Sequence, residues 1–388
     1  MSRLYLSLIL AFIALGLAGF VFWRYFYLGT LVLDLVPTQA TVTLNGVAVP
    51  DRTLHLRRGT YEVTVSAPGY RNESFTHTSS LGRQANKRLE LVSLPRPKLI
   101  LDGAISSVAT NAERTHLFFV KDHTLYRLNL AVAGQPAQAI TPKLAGIVRV
   151  DWSPDFALAI LYKTNGEVGL YDFNRYDLLN QSYKVLGQTI TATTWEADGS
   201  AYYYLNQLPD GTNLLVKADR SGTDIARYDH IGVPAGTKVT LVSGPANQVL
   251  ITGTDRQRPN DIIVSDNYTR TITPLTTSQN AFAPVLSPSK KYLAYLENGE
   301  LVVATAAGKD RRNTNLRPRA NSYAFVSETS LAVLTANMIS LINPQTGETT
   351  SHEVYAPDDT ITALIASADG KVVSYVYKGN LFALPLGR

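Results

Sequence analysis

Cysteine is absent from this chain of 388 residues. That removes disulfides, thiol nucleophiles and cysteine-ligated metals together, and leaves the redox compartment unreadable. Histidine is scarce. The six residues His55, His77, His116, His123, His230 and His352 include no His-x-x-His or His-Glu-x-x-His pair, the spacings that set two metal ligands on one face. Gly-x-Ser-x-Gly, the Walker loop and the dinucleotide fingerprint are missing as well. Asp210-Gly-Thr-Asn213 and Asn343-Pro-Gln-Thr-Gly347 read as hairpin turns and lack the carboxylate series of a calcium loop. No catalytic, metal or cofactor-binding residue is therefore assigned, and no cofactor is expected. Charge is thin too, at 17% of residues with a net +5. Nucleic-acid binding, which needs a concentrated basic face, is not expected.

What the chain does have is a recurring turn. Asp151-Trp-Ser-Pro-Asp155, Trp195-Glu-Ala-Asp-Gly199, Leu286-Ser-Pro-Ser289 and Ala366-Ser-Ala-Asp-Gly370 are its clearest copies. Each follows a short apolar strand and precedes one rich in Tyr, Val, Leu and Ala. Weaker copies extend the series, which we anchor at Asn111, Ser153, Glu196, Gly244, Ser287, Ser327 and Ser367. The steps are 42, 43, 48, 43, 40 and 40 residues. A period of this size with four strands per unit predicts a β-propeller over residues 98–388, counted here as seven blades, with six or eight left open by the degenerate fourth and sixth copies.

The N-terminus carries a second signal. Leu4 to Trp23 is an uncharged apolar run of 20 residues, which as a helix spans about 30 Å, the depth of a hydrocarbon layer. Phe22, Trp23, Tyr25, Phe26 and Tyr27 then fall where interfacial aromatics are favoured. Bulky apolar residues continue past Gly16-Leu-Ala18, so the run reads as an uncleaved signal anchor rather than a cleaved signal peptide. The expectation is a transmembrane helix over residues 1–29 in a single-pass cell-membrane protein, with residues 30–388 extracytoplasmic.

Residues 30–94 read as a small all-β unit. Leu31-Val-Leu-Asp-Leu-Val36 alternates, Pro37 ends it, and Asn45-Gly46 after Ala40-Thr-Val-Thr-Leu44 is a strong hairpin turn. Arg58-Gly-Thr-Tyr-Glu-Val-Thr-Val-Ser66 is followed by Pro68-Gly-Tyr70, and Lys87-Arg-Leu-Glu-Leu-Val92 supplies a last strand. Across these motifs the segment resembles a PEGA domain. The resemblance implies a non-catalytic, β-sandwich-like extracytoplasmic module of prokaryotic surface proteins, with a spacer or adhesion role. Val49-Pro-Asp-Arg52 departs from the glycine-rich turn usual in that family. Pro95-Arg-Pro97 is a stiff linker, because each proline fixes φ and restrains its predecessor.

The last repeat offers only three strands before Arg388. Lys98-Leu-Ile-Leu101 is expected to supply the missing one and so close the propeller with an N-terminal strand. Trp152-Ser-Pro-Asp155 and the related turns resemble those of the TolB and WD40-like propellers. The expected fold class is thus all-β: an N-terminal transmembrane helix, a PEGA-like sandwich and a seven-bladed propeller.

The turn residues Asp155, Asp198 and Asp369 are of types that tight turns favour for backbone reasons. They are read as structural. Ser287-Pro-Ser-Lys290 matches a Ser-x-x-Lys acyl-enzyme pattern but lacks partner motifs. Two segments stand out more: Asp255-Arg-Gln-Arg-Pro-Asn-Asp261, and the basic stretch Lys309–Arg312 with Arg317-Pro-Arg319. On the strand assignment His123, Arg256, Arg258, Arg319 and Asp359 share one face, where arginines can grip carboxylates or phosphates bidentately. The function expected is a non-enzymatic binding or scaffold module, engaging protein or glycan at a cell envelope through that face. The alternative is an extracytoplasmic hydrolase or lyase whose site is assembled from several blades.

Overall fold

The computed structural model describes residues 12–21, 28–111, 113–130, 135–174, 182–187, 189–233, 239–245, 247–253, 262–276, 281–335, 338–354, 361–367 and 371–386. The chain divides into two compact units, Met1–Arg96 and Pro97–Arg388.

The first unit contains a helix over residues 12–21, all exposed. Ten residues at 1.5 Å each give about 15 Å, half of a hydrocarbon layer. No helix among the described residues is long and apolar enough to cross a membrane. The expected transmembrane anchor and the single-pass extracytoplasmic placement are corrected on this finding. An apolar run by itself does not establish a spanning helix. Residues 1–11 and 22–27 of the expected span lie outside those described.

Seven strands follow. They are β1 (Gly29–Val36), β2 (Thr41–Leu44), β3 (Val47–Val49), β4 (Thr53–Leu56), β5 (Gly59–Ser66), β6 (Glu73–Ser79) and β7 (Gln84–Glu90). They make two sheets, β4-β1-β7 and β3-β2-β5-β6. The alternation in β1 buries Leu31, Leu33 and Leu35 against Val42, Val63 and Val65 of the other sheet. Leu44 pairs with Val47, which leaves Asn45 and Gly46 as a two-residue turn. Both have positive φ, 49° and 80°, as that turn demands.

The second unit opens with β8 (Lys98–Leu101) and continues as 27 further strands. The first sheet holds β9 (Ile105–Thr110), β10 (His116–Lys121), β11 (Thr124–Asn129) and β12 (Gln138–Ala139). The second holds β13 (Ile147–Trp152), β14 (Leu158–Lys163), β15 (Val168–Asp172) and β16 (Tyr183–Gly187), and the third β17 (Ile190–Trp195), β18 (Ala201–Gln207), β19 (Asn213–Asp219) and β20 (Asp224–Val233). The fourth is β21 (Thr240–Ser243), β22 (Gln248–Thr252), β23 (Ile262–Asp266) and β24 (Thr271–Pro274). The fifth is β25 (Ala281–Leu286), β26 (Tyr292–Glu297), β27 (Glu300–Thr305) and β28 (Arg312–Asn313). The sixth is β29 (Tyr323–Ser327), β30 (Ser330–Thr335), β31 (Met338–Ile342) and β32 (Thr349–Glu353). The seventh joins β33 (Ile361–Ala366), β34 (Val372–Tyr377) and β35 (Asn380–Pro385) to β8, which lies antiparallel to β35.

The fold is all-β, but the expected description as one closed seven-bladed propeller is corrected. Among the described residues the strands form nine separate sheets of three or four strands, and none closes on itself. The physical reason is that a period of about 40 residues encodes four antiparallel strands, whose backbone hydrogen bonds are spent within the set. What passes between sheets is side-chain packing. One apolar cluster joins Leu158, Ile160 and Leu170 of the second sheet to Trp195, Tyr202 and Val216 of the third. Another joins Ile105, Leu117 and Phe119 of the first to Val376 and Leu381 of the seventh.

Polar bonds reinforce this packing at a spacing set by the repeat. Trp152 Nε1 donates to Ser107 O at 2.8 Å, across 45 residues. Trp195 Nε1 donates to Asp151 O at 3.1 Å, across 44, and Tyr323 OH to Ala283 O at 2.5 Å, across 40. Ser107 and Ala283 sit where β9 and β25 shift register, with φ of 49° and 53°. A bulge turns its carbonyl out of the ladder, and here the next sheet's aromatic takes it.

Candidate functional site

Several described turns between first and second strands of the second unit carry networks of polar bonds. In the second sheet, Asp155 Oδ1 accepts from Ser153 Oγ at 2.7 Å and Ala157 N at 3.2 Å, and Arg220 of the third sheet lies 2.8 Å from its carboxylate. Burial, the largest single effect, pushes Asp155 up, but the bonds from Ser153, Ala157 and Arg220 outweigh it and hold the acid below its ordinary value. Asp198 takes Ser200 N at 2.9 Å and Ser200 Oγ at 2.8 Å. Asp369 lies outside the described residues.

Ser287 and Lys290 share a turn but not a bond partner. Ser287 Oγ donates to Glu328 Oε2 at 2.9 Å and Ser289 Oγ to the same oxygen at 2.6 Å, with Ser289 N on the other oxygen. Lys290, at φ 62°, reaches instead to the fourth sheet. Its Nζ donates to Ser243 Oγ at 2.8 Å and Gly244 O at 3.0 Å. The Ser-x-x-Lys spacing thus splits into two clamps, one toward the sixth sheet and one toward the fourth.

Lys290 closes one wall of a cavity of about 320 Å³ that gathers turns from three consecutive sheets. Glu196 and Asp198 come from the third, Ser243, Asn247 and Gln248 from the fourth, and Lys290 from the fifth. Burial pulls the Lys290 ammonium below its ordinary value, against the opposing pull of Glu196 and Asp198. Glu196 is itself held by Lys217 Nζ at 2.6 Å and by Tyr203 OH at 3.0 Å. Burial, then Glu196, pushes the Tyr203 phenol up, so it stays a donor. The cleft presents both charges, a hydroxyl and two amides. Such a set can hold a polar or zwitterionic group by paired hydrogen bonds. Among the described residues no group of three His, Asp or Glu could hold a metal ion.

The face expected from sequence is at the other end of the sheets. His123 is in the β10–β11 turn at φ 63°, with Nδ1 3.2 Å from Ile147 O of the second sheet. Arg319 is exposed on the approach to β29, and its carbonyl accepts from Ser322 N at 3.1 Å. The two belong to the first and sixth sheets, each at the corresponding end of its own sheet. Arg256, Arg258 and Asp359 lie outside the described residues. In the basic stretch, Arg317 is 2.7 Å from Glu300, and Arg311 pairs with Glu297. The Lys290 cleft escaped the search for motifs because Ser243 and Lys290 are 47 residues apart. Their fixed offsets from the repeat anchors were the one available signal.

No protein-family model matches the chain, and no curated protein matches it.

Proposed function

We propose that the second unit is a non-enzymatic binding module that engages a protein or a glycan. The observation that carries this reading is the mixed-charge cavity of about 320 Å³ where three sheets meet at Glu196, Asp198, Ser243 and Lys290. Its groups are fixed by one another before any partner arrives, which reduces the ordering cost of binding. The PEGA-like strand pattern of residues 31–94, in a family usually without catalysis, supports the same reading. The test is capture with the full chain as bait from protein and glycan extracts, repeated with Asp198→Asn/Gln248→Ala. Loss of a specific partner in that variant, but not in His123→Ala/Arg319→Ala, places recognition at the cleft. The reverse pattern moves it to the opposite end.

One contact favours a second reading, hydrolysis of an acyl bond: Lys290 Nζ lies 2.8 Å from Ser243 Oγ, the arrangement of a Ser-Lys nucleophile pair. The lysine donates here, however, so it must first lose a proton to serve as base. Covalent labelling of Ser243 by a fluorophosphonate, abolished in Lys290→Met, would put this reading first.

A further inference from the structure

A second cavity, of about 440 Å³, lies between β16 and the β19–β20 turn and does not involve the Lys290 cleft. Its lining includes Lys184, Leu186, Tyr202, Tyr204, Gly222 and Asp224. The turn is built on Asp219, whose Oδ1 accepts from Ser221 N at 2.8 Å and Thr223 N at 2.9 Å. Gly222 sits at its apex with φ 75°.

Three groups converge on the face of Gly222 where a side chain would project. A Cβ there would come within 2.7 Å of Leu186 Cδ2 and 3.4 Å of both Lys184 Nζ and Tyr202 OH. Lys184 Nζ already donates to Ser221 O at 2.8 Å and Gly222 O at 3.1 Å, and an ammonium has a third donor. Tyr204 OH donates to Asp224 Oδ1 at 2.6 Å and the exposed Arg227 to Oδ2 at 3.3 Å, which still leaves that carboxylate further lone pairs. Tyr202 is fully buried, packed on Trp195, and its hydroxyl has no hydrogen-bond partner. A buried phenol usually finds one.

We propose that this cavity is a binding site for a polyhydroxylated ring, a sugar residue. The charges of Lys184 and Asp224 oppose each other, so the site suits a neutral polar ligand better than an ion. A sugar hydroxyl both donates and accepts. One can accept from Tyr202 OH while its neighbours bridge Lys184 and Asp224. The volume lies within the range of small-ligand pockets, about 300–1,000 Å³.

The test is saturation-transfer NMR on the full chain with glucose, N-acetylglucosamine and cellobiose at millimolar concentration. Transfer to at least one sugar is expected, with affinity falling about five- to tenfold in Tyr202→Phe, the size of one lost hydrogen bond. That variant removes a hydroxyl that makes no internal bond, so its melting temperature stays at or above the parent's. Transfer that falls in Lys290→Met but not in Tyr202→Phe would place the sugar at the other cleft and overturn the proposal. No transfer from any of the three sugars, or transfer undiminished in Tyr202→Phe, overturns the proposal.

Discussion

Single side chains in this protein are committed to neighbours one repeat away, and Glu328 shows what that means for acid sensitivity. Its carboxylate gathers Ser287 Oγ, Ser289 Oγ and Ser289 N from the fifth sheet. Burial alone would push Glu328 up, but the bonds from Ser289 and Ser287 together hold it below its ordinary 4.5. A carboxylate depressed in the folded state contributes stability above its unfolded pKa and loses it as pH falls through the folded value. Glu328→Gln is therefore expected to be destabilised at pH 7, by no more than about 1 kcal/mol because solvent screens the partly exposed carboxylate. The gap between variant and parent should narrow below pH 4.5 and vanish at lower pH, read by denaturant unfolding at several pH values. A gap independent of pH would show that the charge is not what holds the clamp. At this scale the sequence was partly legible. Asp155 and Asp198 sit in turns that favour Asp for backbone reasons, and the bonds they accept are those of such turns. Glu328 was not legible, because its partners are 39 and 41 residues distant and no local pattern joins them.

The elements were set by spacing. Alternation in β1 and the Asn45-Gly46 turn specify their own geometry, since positive φ and a period of two are local properties. The four-strand content of a repeat is local in the same sense. Closure is not, because the strand ladders end at the edge of each sheet and the relation between sheets rests on packed side chains and on bonds between residues a repeat or more apart. Among the described residues no helix is long and apolar enough to cross a membrane, and the apolar run that suggested a span is described only over residues 12–21. The most consequential element is β8, whose Lys98, Leu99 and Leu101 register with Ala383, Phe382 and Leu381. Deleting residues 98–101 from the full chain bares the edge of β35 and removes the bonds that hold it. The expected result is a melting temperature several degrees lower, against little change on deleting residues 307–310 from a surface turn. Equal effects from the two deletions would show that β8 is a bystander.

For the whole molecule, the two units have separate cores. Leu31, Val63 and Val65 share an apolar cluster with Val42, Leu54 and Leu89 of the first unit. Val63→Ala, at a fully buried position, should cost that unit about 1–3 kcal/mol. Calorimetry on the full chain should show two transitions, of which only one moves. Movement of both by the same amount would show that the units unfold together. Function was the least legible level. The residues of the Lys290 cleft come from three sheets, and those of the sugar-sized cavity from two. Neither set is contiguous in the chain. The pairing of β8 with β35 also has a consequence for biosynthesis. Among the described residues many bonds between sheets span about one period, as Trp152 to Ser107 and Tyr323 to Ala283 do, so neighbouring sheets can pack in order as they leave the ribosome. Arg114, by contrast, must wait for Phe325 O and Val326 O, 211 and 212 residues on. Gly103 and Asn380, which bond beside β8, are 277 residues apart. At ribosomal speeds β8 waits roughly 15–60 s for its partner, so the protein spends its synthesis with the oldest strand of its second unit unpaired.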